Sequence, residues 1–172
     1  RKRFVAFHPM WGTENSGPKA AQKESFAGRA AVICDREDSE QDALALVENI
    51  AKNLEMHLIY MNADAHDVHT AYISHISHIT SYALANTVLD KEREEDTIFQ
   101  LASSGFSSTV RLAKSHPEMW VPIFKQNKEN VLDVLNEHIT QLRKFKSALE
   151  KENFELLEEL IKNANKIRGI LK

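Results

Sequence analysis

At 172 residues the chain is long enough to bury a core of its own, and 42% hydrophobic against 27% charged residues excludes a disordered polypeptide. A formal net charge of −3 gives no electrostatic footprint for nucleic acid, and no apolar run approaches the ~20 residues of a membrane span. The one cysteine, Cys34, allows no disulfide within the chain, fits a reducing cytoplasm, and reads as a small core residue of the run Ala30-Ala31-Val32-Ile33-Cys34.

Arg1-Lys2-Arg3 is basic, but the apolar run behind it ends at Phe7, which does not read as a secretion signal. A strand signal this early, with no initial methionine, points to a piece of something longer. Phe4 to Phe7 predicts a short buried strand. A polar stretch with Gly and Pro, from Gly12 to about Lys23, predicts a loop. Ala30 to Cys34 predicts a second strand. Ser39 is placed to cap a helix whose apolar residues Ala43, Val47, Ile50 and Leu54 share a face. His57 to Met61 predicts a third strand, so the β-α-β order implies a parallel pair with a crossover helix.

After Met61 strand signals give way to helical periodicity. Helices are predicted from about Ala65 to Leu89, Thr97 to Ser103 with a stop at Gly105, Ser107 to Lys114, Pro117 through Lys146, and Asn153 to Leu171. Pro117 suits a first helical turn, and Pro122 is a candidate kink. The run Lys91 to Asp96 reads as solvated surface. The fold class is therefore mainly α, with a short α/β opening over 1–63 and an all-helical part over 64–172. The long apolar stripes predict a helical homodimer, with a self-contained bundle as the alternative.

Two segments carry most of the chemistry. His8 closes the first strand, and strand ends commonly line active sites in α/β proteins; the plain alternative is a histidine that bonds its own turn. The second segment holds His66, Asp67, His69, Ser74, His75 and His78. Two His-x-x-His pairs raise metal binding. At about 100° per residue, however, His69 and His78 fall on opposite helix faces, and no His-Glu-x-x-His is present, so no metal is assigned. Ser74 and His78, four apart, can address one ligand together, whereas His75 turns away and reads as packed. Arg111 is suited to a planar carboxylate, against the plain reading of a solvated helix arginine. Trp11 and Trp120 read equally as packing, interface or ligand contacts. None of the five glycines forms Gly-x-Gly-x-x-Gly, so the chain shows no dinucleotide-binding signature.

In order, the chain holds His8-Pro9-Met10-Trp11-Gly12-Thr13-Glu14, then His66-Asp67 ahead of Ser74-His75-Ile76-Ser77-His78. Next come Thr109-Val110-Arg111-Leu112-Ala113, continuing to Met119-Trp120, and Asn127-Lys128-Glu129-Asn130. This series resembles the prephenate dehydrogenase family over nearly the whole length. The resemblance implies that the α/β opening is the end of a Rossmann-type domain and that the helices are a dimerisation domain. It implies NAD or NADP, held mainly by an N-terminal domain not in this sequence, so that these residues alone would lack dehydrogenase activity. It implies oxidative decarboxylation of prephenate to 4-hydroxyphenylpyruvate in tyrosine biosynthesis. His8 matches the catalytic histidine, His78 and Ser74 a substrate-contacting wall, and Arg111 a carboxylate anchor. Thr13 and Glu14 match the adjoining loop, and His66 would position the pocket. Tyrosine is the inhibitor implied. Ser77 stands where the family often has proline, and Ser107-Ser108-Thr109-Val110 where Arg-Asp-Thr-Thr is more usual. Arogenate dehydrogenase, a non-catalytic helical dimerisation or ligand-binding module, and a metal-binding helical protein are the competing readings.

Overall fold

The computed structural model describes residues 3–15, 17–93 and 97–171. Arg1 and Lys2 of the basic opening, residues 94–96 of the charge run, Ser16 and Lys172 lie outside them. The chain divides into two compact units, Arg1–Val131 and Leu132–Lys172.

In the first unit a three-stranded sheet has the order β1 (Ala6–Pro9), β2 (Ala30–Cys34), β3 (His57–Met61). The central strand is buried along nearly its full length, and its unbroken apolar run reflects burial on both faces. β2 and β3 are parallel, Ala30 opposite His57 and Cys34 opposite Met61, and helix α1 (Gln41–Asn53) joins them as expected. β1 is antiparallel to β2, with His8 opposite Val32. It starts two residues later than the sequence implied and ends on Pro9, whose missing N–H suits an edge strand.

Two details of α1 differ from expectation. The residue before the helix is Glu40, and the Ser39 hydroxyl instead donates to the Phe4 carbonyl at 2.9 Å. A short 3-10 turn, Arg36–Asp38, comes just before, and Ser39 closes it by donating its backbone N–H to the Arg36 carbonyl. The buried face is Ala43, Leu44 and Ala51, leaving Ile50 and Leu54 exposed. Ala51 belongs to the cluster with Ala31 and Met56, and so small a residue lets the helix approach the sheet closely on that side.

Asn62 caps the next helix by accepting the Ala65 N–H at 2.7 Å. The expected single helix is α2 (Ala63–Thr70), a π-helical turn (Ala71–His75) and α3 (Ile76–Glu92) in succession. Where the helix widens, the Thr70 hydroxyl donates to the carbonyls of His66 and Asp67, at 3.0 and 3.1 Å. A 3-10 turn (Ile98–Leu101) precedes α4 (Ser104–Thr109), so Gly105 lies inside a helix instead of ending one. Arg111–Lys114 is a further 3-10 turn. The long helix expected from Pro117 is divided at Asn127 into α5 (Pro117–Gln126), which contains Pro122, and α6 (Lys128–Glu150).

In the second unit the remainder of α6 meets α7 (Phe154–Asn165) through a turn with Glu152 at φ 51°. Asn153 caps α7 by accepting the Leu156 N–H at 2.9 Å. Leu142, Leu149, Phe154, Ile161 and Ile167 are exposed in this single chain.

Candidate functional site

Within the first unit a cleft of about 650 Å³ opens between the end of β1 and the helices that follow. His8, Trp11 and Thr13 line one side and Thr70, Ser74, His75 and His78 the other, with Leu112, Met119, Trp120 and Ile123 supplying apolar surface. An enclosure of this size, mostly apolar with a few convergent polar groups, suits a small-molecule ligand.

The sequence brings the second wall together by spacing. Thr70, Ser74 and His78 recur every four residues, which drifts forward around an ordinary α-helix but backward through a π-helical turn. The π-helical turn at Ala71–His75 offsets the drift, so all three line the same cleft. His78 is buried, and its Nδ1–H donates to the Ser74 carbonyl at 3.1 Å, leaving Nε2 as the acceptor of the neutral ring. Burial pushes the His78 pKa down and the Arg111 charge pushes it further, against the opposing Ser74 hydrogen bond. Trp120 stacks on that imidazole, with centroids 3.4 Å apart and planes 28° from parallel. The Trp120 Nε1–H is buried and has no partner among the described residues.

His8 sits on the opposite wall. Its Nδ1 lies 2.8 Å from His66 Nε2, and His66 Nδ1 lies 2.9 Å from Asp67 Oδ1. Desolvation lowers the His8 pKa, and the neighbouring His66 lowers it again, both of which favour the neutral ring. A neutral imidazole at a strand end is chemically a proton acceptor.

Of the candidates from the sequence, His8, Thr13, Ser74 and His78 therefore line one cleft. His66 contacts His8 from behind. Glu14 and Arg111 do not line it; they stand next in sequence to Thr13 and Leu112, which do, and join each other: Arg111 Nη1 donates to Glu14 Oε2 at 2.6 Å across 97 residues of chain. The backbone N–H of Glu14 and the Arg111 hydrogen bond hold its carboxyl below the usual carboxylate pKa. Arg111 keeps further N–H donors for a second acceptor. Its turn is pinned by Ser81 of α3, whose hydroxyl donates to the Thr109 carbonyl at 3.0 Å and accepts the Ala113 N–H at 3.1 Å.

His75 is buried against Trp120 and Phe124 as expected, with its Nδ1 3.3 Å from Asn127 Nδ2, but it lines the same cleft as Ser74 and His78 where the sequence had it turn away. Asn127 Nδ2 also donates to the Asp67 carbonyl at 2.7 Å, and Asn127 Oδ1 accepts from Asn130 at 2.7 Å, which ties the Asn127-Lys128-Glu129-Asn130 motif to the site. Thr70 and Ile123 were not singled out from the sequence, and Met119 appeared only within the resembling series. The four-residue spacing from Thr70 was the available signal for the first; the apolar pair carries none beyond helical period. Among the described residues no group of three or more His, Cys, Asp or Glu could hold a metal ion, and no helix is long and apolar enough to cross a membrane.

Comparison with known proteins agrees along the chain. Residues 1–60 match the family model described as prephenate dehydrogenase, nucleotide-binding domain, and residues 62–163 the one described as prephenate dehydrogenase, dimerization domain. A prephenate dehydrogenase of Bacillus subtilis (strain 168) is 30% identical over 168 residues, covering 98% of this chain and 45% of that protein. A cyclohexadienyl dehydrogenase of Zymomonas mobilis is 30% identical over 170 residues, covering 98% and 58%. The chain thus spans about half the length of the curated relatives it matches. Among solved structures, prephenate dehydrogenase from A. aeolicus in complex with hydroxyphenyl propionate and NAD+ superposes with TM-score 0.87 at 29% identity, covering 98% of this chain and 59% of that one. Synechocystis arogenate dehydrogenase superposes with TM-score 0.79 at 25% identity, covering 98% and 62%.

Proposed function

This chain belongs to the prephenate dehydrogenase family, and on that footing we propose that its cleft is the substrate pocket of an enzyme converting prephenate to 4-hydroxyphenylpyruvate. The observation that carries the reading is the His8 imidazole in one cleft with Thr70, Ser74 and His78. In this proposal residues 1–63 close a nucleotide-binding domain and 64–172 form the helical dimerisation part.

The strand-to-helix turns here, after Cys34 and at Asn62, contain no glycine, and a Cβ placed on Gly12, Gly17 or Gly28 would meet open space. None is a cradle for a pyrophosphate, so these residues do not themselves fit the dinucleotide, and NAD or NADP is assigned to residues outside this chain. The cofactor supplies the hydride acceptor.

The chain's own residues handle the substrate. As hydride departs from the ring carbon bearing the 4-hydroxyl, that hydroxyl becomes acidic and His8 takes its proton. The ring carboxylate then leaves as carbon dioxide, its bonding electrons aromatise the ring, and the proton on His8 returns to the phenolate oxygen. Arg111 holds a substrate carboxylate by a charge-assisted hydrogen bond, with Glu14 orienting the guanidinium. Ser74, His78 and Thr13 contact the ligand, and Trp120 gives the ring an apolar surface. His66 acts behind His8.

Exposed apolar residues of α6 and α7 support a homodimer through the helices. The same cleft would admit tyrosine, which has the product's ring and carboxylate, as a competitive inhibitor. A cytoplasmic location fits a biosynthetic enzyme of this class.

Arogenate, with an amino group for the side-chain keto group, is the second reading, favoured by the likeness to Synechocystis arogenate dehydrogenase. Steady-state reduction of NAD and NADP by the complete enzyme, with each substrate in turn, tests both. Turnover preferring prephenate is expected; a strong preference for arogenate replaces the substrate, and turnover of neither sinks the proposal.

A further inference from the structure

We propose that Asp67 and His66 are positioning residues that fix the ring tautomer of His8, protonating its Nδ1 and leaving Nε2 with the free lone pair. The inference rests on the reading of His8 as proton acceptor and extends it to how the ring is prepared.

The geometry allows one assignment with both rings neutral. A carboxylate oxygen can only accept, so at the 2.9 Å contact His66 Nδ1–H donates to Asp67 Oδ1. The neutral His66 ring then has no proton on Nε2, which becomes an acceptor. At the 2.8 Å contact His8 Nδ1–H must therefore be the donor. His8 Nε2 is left unprotonated, as acceptance of a hydroxyl proton requires. A free histidine side chain in water favours the opposite tautomer, with the proton on Nε2, so the relay reverses the intrinsic preference. When His8 becomes charged, its Nδ1–H still meets the His66 lone pair, with the Asp67 carboxylate behind it.

The relay is held from below as well. The His66 N–H donates to the Asn62 carbonyl at 3.1 Å at the start of α2. The Asp67 carbonyl receives Thr70 Oγ1 and Asn127 Nδ2, the latter from a buried side chain. The two rings meet edge to face, centroids 5.1 Å apart. His66 is thus assigned to His8, whose Nδ1 its Nε2 meets, and not to the substrate.

The test is the nitrogen-15 spectrum of the histidine rings of this chain at about pH 7.5, where an ordinary imidazole is neutral. His8 as the Nδ1–H tautomer is the expected result; His8 as Nε2–H overturns the proposal and needs no variant. In Asp67→Ala the His8 population should move toward Nε2–H, and Asp67→Glu should restore part of the wild-type pattern. An unchanged tautomer in a folded Asp67→Ala protein also overturns it. In the complete enzyme Asp67→Ala should lower kcat on the order of tenfold while KM changes little, as for a residue that orients a catalytic imidazole. If His8→Asn leaves turnover intact while the spectrum shows Nδ1–H, the catalytic reading fails and the tautomer assignment stands.

Discussion

Ser81→Ala removes one oxygen and two hydrogen bonds with almost no change in volume. The Ser81 side chain is 1% exposed, and its hydroxyl bridges the Thr109 carbonyl and the Ala113 N–H, the two ends of the segment that carries Arg111. Each such bond contributes about 0.5–1.5 kcal/mol net, and the groups left behind gain no new partner inside the fold, so the loss should be about 2 kcal/mol. With a urea dependence of about 2 kcal/mol per molar, the unfolding midpoint should fall by about 1 M. Ser108→Ala is the control. Its hydroxyl makes only a local bond to the Gly105 carbonyl on the surface, and its change should stay within about 0.5 kcal/mol. In the complete enzyme Ser81→Ala should also raise KM for a dicarboxylate substrate more than it lowers kcat, because the Arg111 turn loses its anchor. A midpoint unchanged relative to Ser108→Ala would refute the reasoning.

Asn127→Ala should destabilise the fold by about 2–4 kcal/mol in urea unfolding, since it strips three side-chain hydrogen bonds at the α5–α6 break and leaves buried His75 Nδ1 unpaired; a loss below 0.5 kcal/mol, on the order expected of a surface site, would contradict its role. Stability should fall with acid through the histidine range. His75 and His78 have pKa values pushed below the ordinary value of about 6.5, first by burial. The unfolded chain therefore binds their protons first, so the stabilisation is complete above pH ~6.5 and is lost as pH falls through the folded values. A urea midpoint that rises between about pH 7.5 and pH 5.5 would contradict this. Arg111→Ala should raise KM by one to two orders of magnitude with a smaller change in kcat, as expected for loss of a charge-assisted carboxylate contact; the reverse split would reassign the residue.

The sheet was legible because β2 and β3 are short apolar runs bounded by turn residues, and Ala30–Cys34 and His57–Met61 appear at their expected limits. The buried face of α1 was not, because Ala51 counts as weakly hydrophobic in a pattern yet is fully buried in the cluster with Ala31 and Met56. The division at Asn127 was hidden by unbroken helical periodicity; the side chain there bonds the Asp67 carbonyl, His75 and Asn130. At the site, the Ser74–His78 pairing and the packed His75 followed from helix geometry. The π-helical turn that aligns Thr70 with them has no clear sequence mark, and the stack on His78 depends on Trp120, far along the chain in another helix. The Glu14–Arg111 pair joins two residues that were each singled out but never connected, because nothing in a linear pattern brings residues 97 apart together.

The central claim is that His8 takes the hydroxyl proton of the substrate. The most direct measurement is kcat and KM of His8→Asn in the enzyme that joins these residues to a nucleotide-binding domain, with prephenate as substrate. An amide cannot accept the proton, so kcat should fall by about 10²–10⁴ with KM nearly unchanged. A kcat within a few-fold of the parent would contradict the account.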